Sequence, residues 1–273
     1  MIFYRVALDI PAQLLEYLTG LLRENRKEIG TRNGTRALTC RNQAIFVLAW
    51  FRDKPDIPRL GQGFGISQAT SYRYKDEGVE VLAAKAPSLH DALEKAADQG
   101  LPYVILDGTL ISSDRCSDKK TSMKGAEIDK WYSGKAHEHA GLVQGLIAPS
   151  GVPLWVSDAR PGSTHDIIAA RELVLPGLRP WLKLFPCLAD SGYEGAGAGV
   201  LVPVKKPRKS ELDTDTKARN MLLRGLRYQG ERGFAVMSQR WRATQHVTVS
   251  PTQIGDIMKA ALVLTQFEHK MIS

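Results

Sequence analysis

Cysteine is scarce in this 273-residue chain, and its three cysteines lie far apart without any CxxC pair. That scarcity argues against a disulfide framework and against a zinc finger, and it favours a reducing compartment. The sequence shows no signal peptide, and no apolar run reaches the roughly 18 residues that a membrane-spanning helix needs. We therefore expect a soluble, cytoplasmic protein that acts without a membrane.

The chain also lacks the fingerprints of several common enzyme classes. It contains neither a GxGxxG nor a GxxxxGK[ST] phosphate loop, no GxSxG nucleophile elbow, no internal repeat and no low-complexity tract. These absences disfavour dinucleotide-dependent enzymes, P-loop enzymes and serine hydrolases. What remains is an ordinary globular composition, with 43% hydrophobic and 24% charged residues, which is enough for a sizeable core.

Positive charge is abundant and unevenly distributed. The formal net charge is +8, and the segment from Leu201 to Arg242 contains eleven basic and only four acidic residues. This excess favours a polyanionic partner, with nucleic acid ahead of a membrane surface, although a charge run can also be a solvated face. The stretch includes the basic run 205–209. Its DNA contacts are assigned to four cations: Lys205, Lys206, Arg208 and Arg232.

The first 95 residues are predicted to be helical. Apolar spacing predicts helices over 9–29 and 39–51, followed by two short helices separated by a glycine turn. With Ile66 in the core and Ser67 as N-cap, this order indicates a helix-turn-helix, and an ordinary helical hairpin is the alternative. The second helix is expected to turn polar side chains towards DNA: Gln68, Thr70, Ser71, Arg73 and Lys75.

Residues 96–273 alternate between strand and helix patterns, and we expect them to form a second domain after a helical domain at 1–95. The main predicted elements are a strand over 104–106, two strands joined by a turn at 149–151, a helix from Ser163 or Thr164 to Val174, a strand ending at Asp190, a glycine-interrupted helical stretch over 213–241 and a closing helix over 251–268. This order predicts an α+β fold with a mixed sheet flanked by helices.

Two of the predicted strands end on an aspartate, at Asp107 and at Asp190. A third candidate is Glu231, in a helical stretch between Gly230 and Gly233, which are small enough to let a helix approach a sheet closely. Three carboxylates from separate elements would suit Mg²⁺, because hard cations prefer oxygen ligands. Two such ions, roughly 4 Å apart, can clamp the attacking and leaving oxygens of a phosphoryl displacement.

Other assignments remain open at this point. Glu231 stands among arginines and can equally be a salt-bridged surface residue, and Asp158 also ends a predicted strand and competes for a ligand role. His137 and His139 alternate along a predicted strand, which is one pattern for zinc ligands, but no third ligand is evident.

Five short motifs follow one another along the chain: Leu106-Asp-Gly-Thr109, Tyr132-Ser-Gly-Lys135, Pro161-Gly-Ser-Thr-His-Asp166, Leu188-Ala-Asp-Ser-Gly-Tyr193 and Gly230-Glu-Arg-Gly-Phe234. They occur in the order seen in bacterial DDE transposases, and over residues 40–268 the chain resembles the insertion-sequence branch related to Harbinger-type elements. The resemblance implies an RNase H-like catalytic domain behind a helix-turn-helix. It also implies that Asp107, Asp190 and Glu231 are the catalytic metal ligands and that Lys135 contacts phosphate.

The same resemblance implies a reaction and its partners. Two Mg²⁺ ions, with Mn²⁺ as a substitute, would support strand cleavage at the terminal inverted repeats of an element and strand transfer into double-stranded target DNA. A homodimer or a higher synaptic assembly, associated with the bacterial nucleoid, is expected. Two alternatives stay open: an endonuclease of the same fold that cuts without joining, and a DNA-binding regulator whose catalytic fold is inert.

Overall fold

Helices enclose a sheet in the computed structural model, which describes residues 8–271 except 33, 115, 122–124, 209 and 249. The α-helices of the described residues are α1 (Ala12–Glu28), α2 (Cys40–Asp53), α3 (Ile57–Gly63), α4 (Gln68–Ala83), α5 (Leu89–Asp98), α6 (Asp166–Leu173), α7 (Leu175–Leu178), α8 (Thr214–Arg240) and α9 (Ile254–Glu268). Their strands are β1 (Val104–Ser113), β2 (Lys119–Thr121), β3 (Glu127–Asp129), β4 (Tyr132–Ser133), β5 (Glu138–Ile147), β6 (Pro153–Val156), β7 (Arg160–Pro161), β8 (Cys187–Leu188), β9 (Val200–Leu201) and β10 (His246–Val247).

The main sheet is mixed, which confirms the predicted sheet flanked by helices. Its central order is β4-β5-β1-β8-β9, while β6 and β7 also pair with β5 and β10 pairs with β1. Strands β1 and β5 are antiparallel, whereas β8 is parallel to both β1 and β9. The two long strands, β1 and β5, therefore form the centre on which the helices pack.

The prediction that a strand ends at Asp107 is wrong. Strand β1 continues through Asp107 and Gly108 to Ser113, with Asp107 opposite Gly145 and Gly108 opposite Gln144 on β5. Because β5 supplies hydrogen-bonding partners along the whole length, the glycine does not terminate the strand. Asp107 thus stands within a paired strand rather than at its mouth.

Three further local predictions are corrected by the structure. Helix α8 runs unbroken from Thr214 to Arg240. Each glycine lowers helix stability, but the tertiary packing of a long helix stabilises it by more than its glycines cost. Helix α6 has His165 at its N-cap rather than Ser163 or Thr164, and that residue makes no side-chain capping bond. His137, expected on a strand, lies in a turn with a φ of 58°.

Helix α4 begins as the sequence indicates, but it does not expose all five predicted DNA contacts. The Ser67 hydroxyl accepts a hydrogen bond from the Thr70 amide, which confirms the N-cap, and Ile66 is buried. Ser71 and Lys75 are buried as well, so the prediction that both face outward is wrong. Their burial has a simple cause, since α4 packs on neighbouring helices along that side.

The contacts of these two buried residues are specific. A Cβ atom on Gly61 of α3 would clash with the Ser71 Oγ, so the two helices approach closely at this point. Lys75 is only 1% exposed; it pairs with Asp76 and contacts the Trp50 ring, and its Nζ lies 3.4 Å from the Gln253 side chain. Both side chains therefore stabilise packing within the protein.

One apolar core joins the first four helices to the end of the chain. It combines buried residues of α1, α2 and α4, such as Leu18 and Phe46, with residues of α9 such as Leu262. The core therefore crosses residue 95, where the domain boundary remains a prediction. None of the helices in the described part of the chain combines the length and apolarity that crossing a bilayer requires.

The glycine face of α8 yields a stability prediction. A Cβ at position 233 would lie 2.6 Å from the Ile147 Cγ1, whereas a Cβ at position 225 would meet nothing within 4 Å. We expect Gly233→Ala to lower the free energy of unfolding by about 1–3 kcal/mol through overpacking. Gly225→Ala, the matched control, should raise it by about 0.5–1 kcal/mol through helix propensity. Urea unfolding measures both, and equal effects of the two variants would contradict the predicted close contact.

Candidate active site

Asp107 is the centre of a group of carboxylates. Its side chain, on β1, is 16% exposed. Burial raises the pKa of this carboxyl to about 6; the Arg227 guanidinium opposes the shift, while the nearby charges of Asp190 and Glu231 add to it. Asp190 and Glu231 therefore each lie close enough to Asp107 for their charges to disfavour its ionisation.

Asp190 reaches the same place through the sheet. Leu188 on β8 pairs in parallel with Ile105 on β1. Asp190 and Asp107 each lie two residues after this pair, so the two aspartates are level with each other. The chain then turns sharply, and the Asp190 Oδ1 accepts a 2.7 Å hydrogen bond from the Gly192 amide. This bond fixes the carboxylate at the end of its strand.

Glu231 approaches from α8, which lies directly on β1. A Cβ at Gly230 would be 2.8 Å from the Ile105 Cγ2 and 3.8 Å from the Asp107 Oδ2, so only glycine allows this distance. The predicted role of Gly230 and Gly233 in close helix packing is thus confirmed. The Glu231 side chain itself is 61% exposed.

An arginine stands between the first and third carboxylates. Arg227 Nη1 is 3.7 Å from Asp107 Oδ1, and its Nη2 is 3.6 Å from Glu231 Oε1. The same guanidinium therefore neutralises part of both charges. Glu231 is consequently salt-bridged and exposed, as the alternative interpretation holds, yet it also acts electrostatically on Asp107.

A fourth carboxylate, Asp166, belongs to the site, although the sequence pattern indicates only a helix start at this residue. A Cβ on Gly108 would lie 2.5 Å from Asp166 Oδ1, and one on Gly192 would lie 3.5 Å from Asp166 Oδ2 and 2.8 Å from Asp190 Oδ1. Burial raises the Asp166 pKa, and Asp190 raises it further, while Lys135 lowers it. The signal that could have revealed it is its place in the 161–166 motif.

Gln144 and Tyr193 form the buried wall beside Asp166. The Tyr193 hydroxyl donates a 2.7 Å hydrogen bond to Gln144 Oε1, and this orients the amide on β5. Gln144 Nε2 would be 2.8 Å from a Cβ placed on Gly108, so the amide nitrogen and the Asp166 carboxylate meet over the same glycine. Burial raises the pKa of Tyr193, with Asp166 adding to the effect, so the hydroxyl stays protonated and donating.

The chemistry of this donor set fits a hard divalent cation. Its ligand atoms are carboxylate oxygens. Burial, with a smaller contribution from the neighbouring carboxylates, raises the pKa of Asp107, and a bound cation would offset both unfavourable effects. Within the described ranges, however, no three His, Cys, Asp or Glu side chains are grouped closely enough to hold a metal ion. Arg227, positioned between Asp107 and Glu231, explains why these two side chains do not close together.

Lys135 borders a cleft next to the carboxylates. The cleft has a volume of about 450 Å³ and lies between β1, the turn after β4 and the loop before α6. Three of the five sequence motifs contribute to its lining, through Gly108, Lys135 and the segment 162–166. Lys135 is exposed there and acts on Asp166, which places a cation at the entrance to the acidic group.

The remaining predicted DNA contacts are spread over the surface. Lys205 pairs with Glu194 at 2.8 Å, and Lys206 pairs with Glu211. Arg208 is exposed, whereas residue 209, the last of the basic run, lies outside the described residues. Arg232 is also exposed, and its aliphatic chain runs beside Gly151. None of these four described cations forms an ion pair with Asp107 or Asp190 within the described part of the chain.

The competing ligands take other partners. Asp158 forms an ion pair with Lys259 of α9. His139 Nε2 lies 3.6 Å from Asp129 Oδ2, while His137 lies in the turn before β5. The two histidines therefore do not share one face of a strand.

Sequence comparison assigns a family to the part of the chain that carries these carboxylates. The chain matches the DDE superfamily endonuclease family over residues 106–266, more than half of its length. The match begins one residue before Asp107 and includes Asp166, Asp190 and Glu231. No curated protein and no solved structure matches the chain.

The raised pKa of Asp107 predicts how metal-free stability depends on pH. The folded protein holds this proton more tightly than the unfolded chain, so ionisation between the ordinary pKa of 3.8 and about 6 destabilises the fold as pH rises. In EDTA, Asp107→Asn should therefore gain stability relative to the parent between pH 5 and pH 7.5, by an amount on the order of 1–2 kcal/mol. Urea unfolding at both pH values measures this gain.

Asp213 provides the control for that measurement. Hydrogen bonds from Thr216 lower its pKa below 3.8, so it is ionised throughout this range. Asp213→Ala should destabilise the protein equally at pH 5 and pH 7.5. If the effect of Asp107→Asn on the free energy of unfolding did not depend on pH, the pKa of Asp107 would not be raised in the folded protein.

Proposed function

The chain belongs to the DDE superfamily endonucleases, and from that membership we propose that it is a DNA transposase that cuts at the ends of a mobile element and joins them to target DNA. Membership itself indicates a metal-dependent nuclease or transposase with a DNA substrate. The observation that supports the finer proposal is geometric: the Arg227 guanidinium lies 3.7 Å from Asp107 and 3.6 Å from Glu231, and Asp190 follows the strand that pairs in parallel with β1.

Asp107 and Asp190 would hold a divalent cation, proposed to be Mg²⁺, through their carboxylate oxygens. When bound, such ions polarise the phosphodiester and lower the pKa of the attacking hydroxyl. Glu231 can join them only if Arg227 releases it, since the guanidinium now lies between Glu231 and Asp107. The released arginine would remain beside the reacting group as a fixed positive charge.

The other residues of the site have supporting roles. Lys135, exposed beside Gly108 and Asp166, is positioned to contact a phosphate of the strand being cut. Tyr193 and Gln144 hold the wall of the cleft rigid through their buried hydrogen bond. Exposed side chains of α4, among them Gln68 and Arg73, support DNA recognition by the first four helices as a helix-turn-helix. We further propose an RNase H-like fold for the sheet domain and a dimer to bring two element ends together.

The catalytic assignment predicts a specific loss of activity. In Mg²⁺ or Mn²⁺, cleavage of a duplex made from the DNA that flanks the gene should fall below detection for Asp107→Asn and Asp190→Asn, because each variant replaces a charged carboxylate ligand by a neutral amide. DNA binding by both variants should persist. Glu231→Gln should also abolish cleavage if Glu231 joins the other two during the reaction.

Asp158→Asn is the matched control, since this carboxylate pairs with Lys259 away from the group. Full cleavage by Asp107→Asn or Asp190→Asn would overturn the assignment. Joined products in the same reaction separate a transposase from an endonuclease that only cuts. An inert regulator would bind the duplex and show no metal-dependent cleavage in any form.

A further inference from the structure

A second charged feature lies far from the carboxylates in sequence, at the end of α1. Five cations line a cleft of about 510 Å³ between this helix and the loop that leads to α2. We name it the basic cleft and define it by Arg23, Arg26, Lys27, Arg32 and Arg36. No carboxylate is found among the described residues that line it.

Two of the five cations are fixed parts of the fold. Arg26 donates to the Leu38 carbonyl at 3.1 Å and to Gln43 Oε1 at 2.5 Å. Arg36 forms a 3.0 Å ion pair with Glu77, whose side chain is largely buried. These contacts hold the wall of the basic cleft in place, so it is a built surface rather than a set of mobile side chains.

The other three cations have no such partners. Arg23, Lys27 and Arg32 are exposed, and none forms an ion pair with any carboxylate in the described ranges. The favourable effect of cations on a helix C-terminus accounts for basic residues in the last turn of α1, but it does not extend to Arg32 beyond the helix. Three uncompensated positive charges around one concave surface call for an anionic ligand.

Charges on α1 are sorted rather than mixed. Arg23 and Lys27 are four residues apart and line the basic cleft, a like-charged spacing that destabilises an isolated helix. Glu24 and Glu28 follow one position later and line a separate groove, whose other charged residues are Glu80 and Lys85. A surface evolved only for solubility would intersperse the two signs. The segregation therefore indicates a functional face.

The basic cleft is continuous with the exposed side of α4. Its wall is tied to that helix by the Arg36–Glu77 ion pair and by the Leu38 amide, which donates to the Tyr74 hydroxyl at 3.3 Å. Exposed Arg73 lies one helical turn before Glu77. A ligand lying along the exposed residues of α4 would thus extend over the basic cleft.

We infer that the basic cleft binds the phosphate backbone of duplex DNA, independently of sequence, beside the exposed face of α4. This inference rests on the proposed function for the identity of the polyanion. The extended set of cations suits a backbone with many phosphates, since each neutralised phosphate releases counterions. The cleft would fix the position of the duplex, while side chains of α4 would read bases.

The test is a salt titration of duplex binding. In metal-free buffer, fluorescence anisotropy with a labelled duplex of arbitrary sequence compares the parent with Arg23→Ala/Lys27→Ala/Arg32→Ala. We expect the triple variant to bind about tenfold or more weakly at ~100 mM salt. The slope of log K against log salt should become shallower by about 2–3, because three phosphate contacts are lost.

The matched control removes the same charge elsewhere. Lys85→Ala/Arg179→Ala/Lys183→Ala changes three exposed cations outside the basic cleft, and its affinity and salt slope should stay close to those of the parent. Equal losses in the two triple variants would show a net-charge effect and overturn the inference. Thermal unfolding shows whether the two triple variants are folded. The single variant Arg32→Ala, in the loop after α1, should still reduce the salt slope by about 1.

Further arms identify the ligand and separate this inference from the enzyme assignment. Calorimetric binding of inorganic phosphate without any change in duplex affinity would show a free-anion site, and a loss confined to RNA would show another partner; either result overturns the inference. If the triple variant loses duplex binding while the parent never cleaves DNA, the basic cleft stands and the proposed function fails. If the triple variant binds duplex normally and Asp107→Asn loses cleavage, the proposed function stands and the inference about the basic cleft fails.

Discussion

The close contact between α8 and the centre of the sheet is the constraint on which the site depends. At Gly230 and Gly233 the helix presents backbone instead of side chain to Ile105 and Ile147, so its axis lies as near to β1 as sterics allow. Larger residues at either position would displace the helix outward. The carboxylate of Glu231 and the guanidinium of Arg227 would then leave the neighbourhood of Asp107, and the group would be reduced to the residues contributed by the sheet.

That contact concentrates negative charge at a cost to folding. Asp107 is buried beside Asp190 and within reach of Glu231, and Asp166 adds a further carboxylate behind Gly108. Arg227 offsets only part of the repulsion. Such local strain is common where a protein keeps groups ready for chemistry, and the surrounding core must over-determine the arrangement. Here the long β1–β5 pairing and the buried Tyr193–Gln144 bond supply that rigidity.

Much of this arrangement was predictable from the sequence, because local signals agreed with the fold. Apolar periodicity located most of the helices, the Ser67 cap marked the start of α4, and the predicted strands before Asp107 and Asp190 correspond to β1 and β8. What failed depended on contacts between distant segments. The continuation of β1 past Gly108 required pairing with β5. The burial of Lys75 depends on Trp50 of α2 and on Gln253, just before α9. The proximity of Asp166 to Asp190 required α6 to fold back over the sheet. No local pattern encodes such distances.

The shared core of α1–α4 and α9 has a consequence for how this protein can be divided. Helix α9 comes last in the chain, yet its apolar residues complete the packing of helices encoded first, and Lys75 meets Gln253 across the same junction. A fragment that stopped near residue 95 would bring that apolar surface into contact with water. During synthesis on the ribosome, the apolar core of α1, α2 and α4 therefore stays incomplete until α9 has emerged.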